Sequence, residues 1–104
     1  MKSWPLLCLP FLSAAAPPPD PQTLADARCV MAMGSELGNE NPQAKQLALT
    51  SMLYFLGRID GRTPEFDMKA AWDAEMKKKI APKDWKALVD SCIDQVQKRL
   101  SQAL

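Results

Sequence analysis

A chain of 104 residues, 47% apolar and 24% charged, has room for one globular domain at most. Thirteen Lys plus Arg against twelve Asp plus Glu leave a net charge of +1, which excludes the basic footprint expected of a nucleic-acid binder. Histidine is missing altogether, and with it the commonest general base, metal ligand and near-neutral pH switch, so no enzyme is expected.

Residues 1–16 read as an export signal. Lys2 supplies the positive start, Trp4 to Leu12 is apolar, and Ser13-Ala14-Ala15-Ala16 offers small residues for cleavage. Cutting after Ala15 puts Ser13 and Ala15 at the small-residue positions; cutting after Ala16 sets Pro17 against the scissile bond. The apolar run is about 13 residues, too short for a bilayer core of roughly 30 Å. Pro5 and Pro10 weaken it further as a helix. Cys8 precedes the end of the apolar run and does not read as a lipid-attachment site. The competing interpretation is an apolar tail on a cytosolic protein. Residues 17–22, with Pro17-Pro18-Pro19-Asp20-Pro21, read as an extended spacer ahead of a single helical domain over 23–104.

Once the signal leaves with Cys8, Cys29 and Cys92 remain, an even count in an oxidising compartment. Neither belongs to a C-x-x-C pair and no histidine is present, which argues against zinc and thioredoxin-like chemistry. A disulfide between them closes a long loop and stabilises by roughly 4 kcal/mol on the chain-entropy account. Two buried free thiols are the alternative.

Four helices are predicted, in an orthogonal or bundle-like all-α domain. The first spans about Thr23 to Leu37, with Leu24, Ala27, Val30 and Met31 at helical spacing and Gly38 as its stop. Asn41 caps the second and Pro42 takes its first position. Ala44, Leu47, Ala48, Met52, Phe55, Leu56 and Ile59 form its stripe, and Gly61 is expected to end it. Because Leu53 to Leu56 are apolar consecutively, this helix is expected to be the central one, covered on more than one side. A third helix opens at Thr63-Pro64 or at Asp67 and carries Met68, Ala71, Trp72 and Met76 on one face. Lys77-Lys78-Lys79 are expected in its last turn, where positive charge complements the helix dipole. The fourth opens at Pro82, with Trp85, Leu88, Val89, Cys92, Ile93, Val96 and Leu100 at spacings of three and four.

No acid–base pair, activated nucleophile, phosphate loop, cofactor motif or metal cluster emerges. Two surface features remain. In the stretch YFLGRIDGR, Gly57 costs a helix about 1 kcal/mol relative to Ala and suggests close approach of another backbone or of the disulfide. Arg58 and Arg62 lie four apart on one face, with Asp60 pointing elsewhere, so the three form a candidate corner for an anion or a protein partner; the simpler reading is a tight helix–helix contact and a Gly61 stop, with solvated charges. Between Lys69 and Lys86, six lysines outnumber Asp73, Glu75 and Asp84. With Trp72 and Trp85 flanking Lys77, Lys78 and Lys79, this is a candidate basic patch for an anionic membrane surface, while nucleic acid is not expected. Met31, Met33, Met52, Met68 and Met76 suit either irregular core filling or an adaptable apolar surface.

With Cys29 in the first helix, Tyr54, Phe55, Gly57 and Gly61 in the second, and Cys92 late in the chain, residues 23–104 resemble the small periplasmic acid-stress chaperones of the HdeA type. The stretch YFLGRIDGR is also similar to small exported proteins of Gram-negative bacteria. The HdeA resemblance implies a periplasmic, ATP-independent protein that loosens at low pH and binds unfolded clients through apolar surface. The alternative is an immunity- or inhibitor-type module docking one envelope protein through the Arg58–Arg62 corner.

Overall fold

A computed structural model describes residues 20–104; the expected signal and the spacer as far as Pro19 lie outside the described residues. Those residues form an all-α fold: α1 (Pro21–Ser35), a 3-10 turn (Glu36–Gly38), α2 (Pro42–Arg62), α3 (Met68–Met76) and α4 (Pro82–Ala103). Each start has a local cause. Pro21, Pro42 and Pro82 occupy first-turn positions, where a missing N–H costs no hydrogen bond. Asn41 Oδ1 accepts from the backbone N–H groups of Gln43 and Ala44 at 2.9 and 3.2 Å. For α3 the structure selects Asp67, whose Oδ1 accepts from Ala70 N at 2.9 Å. Thr63 instead closes α2, its N–H donating to Ile59 O at 2.7 Å.

Three local expectations are corrected. Pro21 and Gln22 belong to α1, not to the spacer, because proline is already compatible with the first helical turn. The first helix ends at Ser35, two residues before Leu37, and tightens into a 3-10 turn up to Gly38. Gly61 does not terminate α2: no glycine takes positive φ among the described residues, and the helix runs on to Arg62.

Helix α1 runs antiparallel to both α2 and α4. Thr23 meets Thr63 and Gly34 lies near Met52 on the α2 side; Ser35 meets Trp85 and Cys29 meets Cys92 on the α4 side. Cys29 and Cys92 form the disulfide, with Cα atoms 5.5 Å apart, a bond that an oxidising, extracytoplasmic compartment retains. It ties the two helices inside a core of Ala27, Val30, Met31, Met33, Phe55, Ile59, Val89 and Val96.

The central helix is therefore α1, not α2. Thr23, Asp26, Ala27 and Cys29 to Met33 are all buried, on nearly every side of α1. In α2 only Ala48, Ser51, Phe55 and Ile59 are fully buried, a single stripe. Leu53 faces out, so the consecutive apolar run from Leu53 to Leu56 marks two faces of which only one is covered. Leu24 and Leu100 are also exposed, contrary to the expected stripes. On α1, Thr23 and Asp26 occupy the inner positions that would have used Leu24. Among the described residues no helix is long and apolar enough to cross a membrane.

Candidate functional site

The Arg58–Arg62 corner is built around a residue of α1. Asp26 is 1% exposed. Its Oδ2 accepts from Arg58 Nε at 3.1 Å and from Arg62 Nη1 at 3.0 Å, and its Oδ1 accepts from Gln22 Nε2 at 3.1 Å. Arg58 Nη1 also donates to the Tyr54 hydroxyl at 3.0 Å, and its guanidinium carbon lies 5.6 Å from the Tyr54 ring centre. The hydrogen bond to Tyr54, followed by the charge of Asp26, holds Arg58 above its ordinary pKa despite partial burial. Arg62 reaches Asp20 at 3.4 Å as well, and Thr23 and Thr63 share a hydrogen bond at 3.0 Å beside it.

The two arginines do share a face, but it is turned toward α1. That corrects the view of them as an open anion-binding corner: a buried carboxylate is already the anion. Asp60 points away and is exposed, as its phase requires. The close approach expected at Gly57 is not found. Gly57 is exposed, and a Cβ placed there meets nothing within 4 Å.

The tryptophans flanking the lysine run do converge. Met31 and Ser35 of α1, Trp72, Glu75 and Met76 of α3, Lys79 and Ile80 of the following turn, and Trp85 of α4 line a groove of about 390 Å³. Its walls are mostly apolar and its volume is in the range of small-ligand sites. Trp85 is oriented by its Nε1–H, which donates to Ser35 Oγ at 3.1 Å; Ser35 in turn donates to Ala32 O at 2.6 Å. Glu75 sits at the inner edge, 3.5 Å from Arg28 Nε and 2.8 Å from Lys78 Nζ. Met76 is 63% exposed and Trp72 43%, so both present side-chain surface to solvent at the rim.

The lysine run follows α3 instead of lying in its last turn. Lys77 caps the helix, Lys78 is held by Glu75, and Lys79 turns the chain with φ of 50°. Lys79 is the lysine that lines the groove, and it has no ion partner among the described residues. The methionines divide: Met31 and Met33 are buried, Met52 and Met68 pack at the core edge, and Met76 stands at the groove mouth.

Sequence reasoning missed Asp26 and Ile80. Asp26 had a readable signal: it falls in phase with Thr23, Ala27, Val30 and Met33, and a charge on a buried stripe needs a partner. Ile80 had none, because it lies between helices. Among the described residues no group of three or more His, Cys, Asp or Glu side chains is placed to hold a metal. No protein-family model matches the chain, and no curated protein or solved structure does either.

Proposed function

We propose that this is a non-enzymatic periplasmic protein that binds apolar segments of client proteins in the Trp72–Trp85 groove, a chaperone-like role. The observation that carries this reading is the groove itself. Two tryptophans, two methionines and Ile80 surround a space of about 390 Å³. That is room for one or two large side chains of a bound segment, and thioethers at its wall and rim adapt to varied shapes. Export would account for the retained disulfide, and the N-terminal signal pattern supports it.

Acid loosening fits the same reading. At pH 2 the neutralised carboxylates leave the twelve Lys and Arg that follow the signal segment with little to balance them. Self-repulsion among those cations favours expansion of the packed helices. The Cys29–Cys92 bond would keep α1 and α4 joined in the expanded state. Docking of one envelope partner through Arg58, Asp60 and Arg62 draws less support, since Asp26 already occupies both guanidiniums.

Suppression of client aggregation at pH 7 and pH 3 tests the proposal. Met76→Asp and Trp72→Ala alter exposed positions, so the far-UV circular dichroism spectrum should be retained while suppression drops by about fivefold or more. Suppression absent at both pH values, or unchanged in both variants, would overturn it. Recovery of one stoichiometric envelope partner, with no client binding, would favour the docking alternative.

A further inference from the structure

Gly57 lies inside α2, where glycine weakens a helix, and among the described residues nothing packs within 4 Å of where its Cβ would stand. The surface around it is also unusual. At 3.6 residues per turn, Leu49 and Gly57 flank Leu53 by about 40° on either side. Ala48, Ser51, Phe55 and Ile59, the buried stripe, lie on the opposite side of α2. Leu53 is 59% exposed and Leu49 40%, at the centre of the face where a surface helix ordinarily carries polar residues. Lys45 and Asp60 stand at the two ends of this face. Both are exposed, and neither has an ion partner among the described residues.

We infer that the outer face of α2 pairs with the same face of a second copy of this chain, the helices antiparallel about a two-fold axis at Leu53. Such an interface must be self-complementary, and this one is. A two-fold at residue 53 sets each position level with the position equally far on the other side of Leu53 in the partner. Leu49 then stands level with the partner's Gly57, whose missing side chain leaves space for leucine and lets the helix axes approach. Leu53 meets the partner's Leu53. Lys45 lies about 12 Å along the axis from Leu53 and Asp60 about 10.5 Å in the other direction, at 1.5 Å per residue. Lys45 therefore falls one residue, about 1.5 Å along the axis, from the partner's Asp60, within reach of its long side chain, twice in each dimer. A parallel pair would instead oppose Lys45 to Lys45 and Asp60 to Asp60, so the charges select the antiparallel arrangement.

A single helix face falls short of the roughly 800 Å² per partner of a standard interface, so the dimer is weak, with Kd on the order of 10 μM or above. No residue of α2 lines the Trp72–Trp85 groove, and the two sites are independent.

Sedimentation equilibrium tests the pairing, using protein purified with the N-terminus the cell leaves it, from roughly 1 μM to 1 mM. A reversible monomer–dimer equilibrium is expected. Gly57→Ala should raise the melting temperature of the monomer by about 4 °C yet weaken association roughly tenfold, opposite signs that a purely local helix effect does not produce. Lys45→Glu and Asp60→Lys should each weaken the dimer, and together should restore it. Leu53→Asp should leave the helical spectrum unchanged and the protein monomeric. A chain monomeric up to 1 mM, or a dimer indifferent to all four changes, would overturn the inference; client binding in the groove is unaffected by either result.

Discussion

Replacing Asp26 by Ala should remove the electrostatic tie between the start of α1 and the end of α2. The carboxylate is buried and accepts three hydrogen bonds, from Arg58, Arg62 and Gln22, all within 3.1 Å. Breaking a fully buried pair costs about 3–5 kcal/mol, because a charge is left without partner or water. Here the stranded groups are the guanidiniums, whose side chains are 31% and 34% exposed and can rehydrate. Solvent access reduces the expected loss to about 2–3 kcal/mol. In a small domain that lowers the melting temperature by about 10–20 °C. Thermal and urea unfolding, followed by far-UV circular dichroism, read the change. The double-mutant cycle of Asp26→Ala with Arg58→Ala should give a coupling of about 1–2 kcal/mol. A loss below about 0.5 kcal/mol with an unchanged urea slope, or a coupling near zero, would refute the claim that Asp26 holds these helices together.

Reduction of the disulfide should raise the mass by two hydrogens and destabilise the fold by roughly 4 kcal/mol, given the long loop between Cys29 and Cys92; mass spectrometry and urea melts check the two parts separately. Lys79 is the non-glycine residue with positive φ among the described residues. Lys79→Gly should therefore stabilise by about 1 kcal/mol, seen as a rise in melting temperature of about 4–8 °C, while removing the groove's unpaired cation.

How far the sequence could be read depended on the range of the interaction. Asn41, Pro42 and Pro82 announced their helices because capping and proline geometry act within a turn. Asp67 and Thr63 competed as caps for α3, and the choice needed the observed end of α2, where Thr63 N–H is committed to Ile59. The pairing of Cys29 with Cys92 was legible from parity and from the inward phase of Cys92. The candidate corner was legible as a pair of arginines, but not as a closed cluster, since its acid lies 32 residues before Arg58. The two tryptophans were legible as neighbours of the lysine run, whereas the groove between them also required Met31 and Ser35 of α1.

By itself, then, the amino-acid order determined the number of helices, the starts of α2 and α4 and the two cysteines that join, since each follows from local backbone chemistry or from counting. Tertiary structure decided which helix is central, what Arg58 and Arg62 hold, and which outer face of α2 is left bare. Burial is a property of neighbours, and those neighbours come from distant parts of the chain. An apolar run such as Leu53 to Leu56 specifies that two faces of a helix avoid water, and only the packing of α1 against one of them shows that the other remains open.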